Sequence, residues 1–107
     1  MPDRTPIALL ASRREELAAL CRRFAVERLD VFGSASRGDF VAGASDIDLL
    51  VRFAEAGGPG YADRYLEFAE ALERALGCPV DLLTERSLRN PHLIEQIEKD
   101  RLNLYAA

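Results

Sequence analysis

The chain has 107 residues, room for one core and not two, and its 14 basic against 18 acidic side chains leave a formal charge of −4. That balance argues against a sequence-independent grip on nucleic acid, for which a basic face supplies the affinity. Two cysteines make neither a disulfide framework nor a zinc site, no apolar run approaches the roughly 20 residues of a membrane span, and the first residues lack a signal-peptide layout, so the expectation is a cytoplasmic protein with reduced thiols.

Taken in order, residues 2–11 carry Pro2 and Pro6 before Ile7, Leu9 and Leu10, and read either as an extra helical turn or as a loosely ordered arm. Ser12 followed by Glu15 has the spacing of a capping box, and Leu17, Leu20, Cys21 and Phe24 recur at helical intervals, which predicts a helix over 13–24. The first strand follows over 28–33 and ends in a Gly33-Ser34 turn able to open a helix. A Gly-rich loop leads to a second strand carrying Asp46 and Asp48 and ending near Phe53. The stretch AEAGGPG is a loop by composition. Tyr61, Tyr65, Phe68, Ala69, Leu72, Ala75 and Leu76 then form the stripe of an amphipathic helix that Gly77 and Pro79 end. These aromatics read as core, with Tyr61, at the lip of the loop, left open to base stacking. Val80–Leu83 is an apolar strand interrupted by Asp81. Thr84 and Asn90 are candidate N-caps, Pro91 suits the first position of a helix burying Leu93, Ile94 and Ile97, and Leu102 with Leu104 suggests a closing strand or an extended tail. His92, the only histidine, has no other nitrogen or sulfur ligand near it in sequence and reads as a surface or partly packed residue, not a catalytic base.

Chemistry concentrates in the acidic positions. Residues i and i+2 of a strand share a face, so Asp46 and Asp48 project together. Two such charges about 5 Å apart repel by roughly 3 kcal/mol at an effective dielectric constant of about 20. A hard divalent cation relieves that repulsion, and Mg²⁺ characteristically takes one or two carboxylates plus waters and phosphates. Gly33 permits close backbone approach, and a helix opening near Ser34 offers free N–H groups to a phosphate. Asp81, a lone charge in an apolar run, is costly if the strand is central and then makes sense if it shares the same cation; the alternative is surface placement on an edge strand.

Gly33-Ser34, Arg37-Gly38-Asp39 and Ser45-Asp46-Ile47-Asp48-Leu49-Leu50-Val51, in that order, resemble the signature of minimal nucleotidyltransferase domains, a branch of the DNA polymerase beta superfamily. The likeness continues through Val80–Thr84 and Asn90-Pro91 to Leu104-Tyr105-Ala106, covering nearly the whole chain beyond Ser12. It implies an α/β (α+β) fold with helices packed on a small mixed sheet, and one such domain over residues 1–107. It also implies ATP as substrate and two Mg²⁺ ions, with Asp46, Asp48 and Asp81 as catalytic and metal-holding residues. In that scheme Asp46 and Asp48 touch both ions, and Asp81 holds the one that activates the acceptor hydroxyl. Gly33, Ser34, Arg37 and Ser45 are the implied nucleotide-binding set, while Asp39 reads as a cap or turn former. Two departures stand out: Ala35 replaces an often basic residue, and eleven residues separate Ser34 from Asp46, one more than is common.

Larger relatives carry a second domain for the acceptor, and 107 residues leave none to spare, so the acceptor is expected on a partner chain or a second subunit. Minimal nucleotidyltransferases are commonly encoded beside a HEPN-type toxin, and some inactivate it by adding AMP to a tyrosine. The resemblance therefore implies an antitoxin that modifies its partner. Two other classes stay open, a binding module that occludes its partner and a small-molecule transferase of the antibiotic-modifying kind.

Overall fold

The computed structural model describes residues 6–33, 46–54 and 58–107. Within them the order is α1 (Pro6–Ser12), α2 (Arg14–Arg23), β1 (Val26–Phe32), β2 (Ile47–Phe53), α3 (Tyr61–Leu76), β3 (Val80–Thr84), a 3₁₀ turn (Glu85–Ser87), α4 (Pro91–Asp100) and β4 (Leu102–Ala106). The strands form a mixed sheet in the order β3-β2-β1-β4, with β1 antiparallel to both β2 and β4 and β3 parallel to β2. A parallel pair needs a long crossover, and α3 is that crossover. The architecture is the α+β fold with helices packed on a mixed sheet that the sequence implied.

Alternation along β2 divides the interior. Ile47, Leu49, Val51 and Phe53 face a main core with Leu29, Val31 and Leu82, closed by Leu10 of α1, Leu17 and Cys21 of α2, and Phe68, Leu72 and Leu76 of α3. Phe68 is its hub, its ring 5.4 Å from Phe24 and 5.8 Å from Phe53. On the other face Phe32 and Leu50 pack with Ile97 of α4, flanked by Leu83 and Leu88. Gly77 ends α3 in the left-handed conformation, its N–H bonded to the carbonyl of Glu73 at 2.8 Å. Among the described residues no helix is long and apolar enough to cross a membrane.

Several local expectations are corrected. Residues 6–12 are helical, and Ser12 closes α1 by donating its hydroxyl to the Leu9 carbonyl at 2.8 Å instead of capping α2. Arg13 holds the cap position with no side-chain bond, because Leu10, 1% exposed, anchors the first helix in the core and carries it through the serine. Thr84 makes no capping bond, whereas Asn90 does, accepting from the His92 N–H at 2.9 Å. Of the three apolar residues expected on the buried side of α4, only Ile97 is buried; Leu93 and Ile94 are 39% and 37% exposed. A helix lying over one small cluster has room for a single buried turn. Residues 102–106 are the closing strand.

One buried charge was not anticipated. Asp30, fully buried on β1, bonds Arg101 Nε at 2.6 Å and Asn103 Nδ2 at 2.9 Å and pairs with Arg28 Nε at 3.0 Å. Arg101 also reaches Glu85 at 2.8 Å and Glu98 at 2.6 Å. Burial works against the guanidinium's charge, but its hydrogen bonds to Glu85, Asp30 and Glu98 outweigh that and raise its pKa above the ordinary arginine value. The network ties β1 to the start of β4 and to the turn after β3.

Breaking a buried pair from one side leaves a charge without its neutraliser. Arg101→Leu is expected to cost about 3 kcal/mol in urea unfolding, and the double variant with Asp30→Leu to recover much of it. Burial also raises the Cys21 thiol from its ordinary 9.0 to about 12, the neighbouring Arg22 charge opposing it only in part. A thiol kept protonated in the fold beyond the pH at which the unfolded chain ionises loses stability as pH rises from about 9 towards 12. Iodoacetamide at pH 8 should leave Cys21 unmodified in the native protein and label it after denaturation, as read by peptide mass spectrometry.

Candidate active site

The parallel pairing of β2 with β3 sets Ile47 opposite Val80 and Asp48 opposite Asp81. The Ile47 N–H donates to the Pro79 carbonyl at 3.2 Å, which fixes this register at the start of both strands. Residues level on neighbouring parallel strands sit about 4.8 Å apart with side chains on one face. Asp48 and Asp81, distant in sequence, are thereby neighbours on the face opposite the main core. Asp48 is half-buried and Asp81 exposed; Asp46, expected on the second strand with Asp48, is instead exposed and lies one residue before β2, so strand alternation does not pair it with Asp48.

Gly33 stands immediately beyond β1, whose last residue, Phe32, is level with Asp48. Its φ is +70°, a conformation side-chain-bearing residues rarely adopt. A Cβ built on it would collide with the Asp48 carboxylate, whose Cγ would be 3.3 Å away. Conformation and space thus both require glycine beside this carboxylate. Ser34, Arg37 and Ser45, with Ala35, Gly38 and Asp39, lie outside the described residues.

The flank of Asp81 is supplied by α3, a contribution that periodicity did not reveal. The Tyr65 hydroxyl donates to the Leu82 carbonyl, and Glu73 Oε2 accepts from the Val80 N–H at 3.2 Å. Burial, then the charge of Asp81, then Tyr61 push the Tyr65 phenol above its ordinary pKa, so it remains a donor at neutral pH. Burial, then Glu73 and Asp46, likewise raise the Cys78 thiol, which puts Asp46 within electrostatic reach of the residues that lead into β3. Tyr61, half-buried, meets Phe53 edge-on at 5.6 Å, with the Arg64 guanidinium over both rings. Beside them Tyr65, Leu66, Leu82 and Leu83 line an open groove of about 420 Å³. His92 is exposed.

Among the described residues no group of three or more His, Cys, Asp or Glu side chains could hold a metal ion by itself. What the strands present is a pair of hard oxygen donors at one register position, beside a glycine whose missing side chain leaves room. That donor set fits Mg²⁺, which takes one or two carboxylates and completes its shell with water and phosphate oxygens.

The nucleotidyltransferase domain family matches residues 13–104. A protein of Methanocaldococcus jannaschii, provisionally named a protein adenylyltransferase, is 39% identical over 87 residues, 81% of this chain and 85% of its own. The protein adenylyltransferase MntA of Thermococcus cleftensis is 37% identical over 83 residues, covering 78% and 77% of the two chains. A crystallised toxin-antitoxin with AMP-PNP superposes on 88% of this chain and 73% of its own with a TM-score of 0.68 at 27% identity.

Gly33→Ala tests the contact with Asp48. Forcing a Cβ into a positive-φ site against a carboxylate is expected to cost about 1–2 kcal/mol, read as a lowered urea midpoint with an unchanged m-value.

Proposed function

The chain belongs to the nucleotidyltransferase domain family and is a nucleotidyltransferase, and from that premise we propose that it transfers AMP from ATP, with Mg²⁺, to a tyrosine hydroxyl of a HEPN-type toxin, acting as the cytoplasmic antitoxin of the pair. The observation that carries this reading is the level placement of Asp48 and Asp81 beside Gly33. The toxin-antitoxin architecture of the AMP-PNP neighbour and the adenylyltransferase names of the relatives support the nucleotide and the kind of acceptor. Residues 1–107 are read as one minimal transferase domain, with the acceptor brought by the partner chain.

Asp48 and Asp81, level on their strands, are the residues that would hold Mg²⁺, with Asp46 proposed to join them from one residue before β2; when bound, the ion would neutralise phosphate charge and lower the pKa of an attacking hydroxyl. The chain's own residues do the rest. The backbone at Gly33 approaches the triphosphate where a side chain would block it, and Ser34, Arg37 and Ser45 complete the phosphate cradle. The acceptor oxygen attacks the α-phosphorus in line; its new P–O bond forms as the bond to pyrophosphate breaks. Asp81, the exposed carboxylate, takes the hydroxyl proton and releases it to solvent.

Incubation with α-labelled ATP, Mg²⁺ and the protein encoded beside it tests the reading. Label on that partner is expected, reduced at least about a hundredfold by Asp48→Asn. Tight complex formation without label would instead make the chain an occluding module, and label confined to a small molecule would make it a transferase of another class.

A further inference from the structure

We propose that Tyr65 and Glu73 are positioning residues for transfer: from one side of α3 they bond the Val80 N–H and the Leu82 carbonyl, on the residues that flank Asp81, and hold its carboxylate level with that of Asp48. The inference rests on the role given to Asp81 above. Tyr65 and Glu73 are eight residues apart on α3, close to two turns, and so share a face of the helix. In a parallel strand, each residue turns its N–H and C=O to the same side, and successive residues alternate between the two sides. The bond from the Ile47 N–H to the Pro79 carbonyl sets the phase, so the backbone groups of Pro79 and Asp81 turn towards β2 and those of Val80 and Leu82 turn outward. One outward group of each residue is taken by α3. Glu73 accepts from the Val80 N–H at 3.2 Å, and the Tyr65 hydroxyl donates to the Leu82 carbonyl.

This matters because, among the described residues, β3 is an edge strand with a neighbouring strand on one side only. Strand β2 alone would leave the end of β3 free to fray, and fraying there changes the separation of the two carboxylates. With the helix bonded at 80 and 82, Asp81 sits between two fixed peptide groups. Burial and the nearby Asp81 charge both favour the protonated Tyr65 phenol, which keeps the donor available. Tyr65 also packs against the main core, so removing only its hydroxyl separates the bond from the packing.

The test compares Tyr65→Phe, Glu73→Leu and Glu73→Gln, the last keeping an acceptor for the Val80 N–H, with Asp81→Asn as the reference. Removal of an outer partner commonly costs ten- to a hundredfold in metal affinity or activity, so Tyr65→Phe and Glu73→Leu are each expected to lower kcat about tenfold and to raise the Mg²⁺ concentration for half-maximal rate by a similar factor. The KM for ATP should stay within about twofold, and Glu73→Gln should retain wild-type behaviour on the same grounds. In the metal-free protein, hydrogen exchange of a peptide over residues 80–84 should quicken about tenfold in Tyr65→Phe and Glu73→Leu, as local opening of an edge strand predicts. A lowered Tm with unchanged kcat, Mg²⁺ requirement and exchange would overturn the inference and leave the two residues merely structural. If Asp81→Asn transfers AMP at the wild-type rate, the catalytic assignment itself fails, whatever the exchange data show.

Discussion

The register of β2 against β3 is the constraint on which the rest depends. It places Asp48 level with Asp81, and because side chains alternate along both strands it also places Leu49, Val51 and Leu82 on the opposite face, in the main core. A slip of one residue would exchange the faces, burying carboxylates and exposing leucines. The hydrophobic pattern therefore enforces the separation between the two acids, and the apolar residues between them set that placement. Gly33 closes the arrangement from β1, where the sheet has no space for a side chain next to Asp48.

The same sheet face carries a third acidic residue handled in another way. Asp30 is fully buried and its charge is met within the protein, by Arg28 and Arg101. Asp81 is exposed at the edge strand, where a dissolved cation and its phosphates can reach it. An isolated buried carboxylate would shift towards its neutral form; one bonded by guanidinium groups keeps its charge and fixes local geometry. Arg101 does this at the junction of α4 and β4, binding Glu85 and Glu98 as well, so the network links the C-terminal elements to the turn after β3. Charge in this fold thus has a structural form and an accessible form, distinguished by who supplies the counter-charge.

The division shows what can be read from a linear chain. Strands, the long helix and the ends of both were legible because apolar spacing and glycine act locally: the stripe from Tyr61 to Leu76 and the stop at Gly77 depend only on near neighbours. The level placement of Asp48 and Asp81 was legible only through the ordered motifs of a family, because an acid exposed on an edge strand is no anomaly in an apolar run. Asp30 escaped notice because its sequence, Arg-Leu-Asp-Val, alternates as any half-exposed strand does, and its neutralising partner lies 71 residues away. Ser12 failed as a cap for a related reason, since burial of Leu10 in the core decided where the first helix ended. Leu93 and Ile94 have the spacing of a buried face, yet the cluster under α4 accommodates only Ile97. Each miss is a case of a distant contact overruling a local pattern.

Helix α3 shows how few residues are needed to join these levels. One of its faces supplies Phe68, Leu72 and Leu76 to the core, its length makes the parallel connection between β2 and β3 possible, and its flank supplies Tyr65 and Glu73 to the outer side of β3. An exposed strand edge invites pairing with another chain, and polar side chains that occupy the outward Val80 N–H and Leu82 carbonyl weaken that invitation. A carboxylate that must be reached by solvent ions gains from lying at an edge, whereas a carboxylate that must stay in register gains from lying in the middle of a sheet. Covering the edge with side chains of a neighbouring helix reconciles the two demands, because the backbone around Asp81 is held on both sides while its side chain stays open on the face away from the main core.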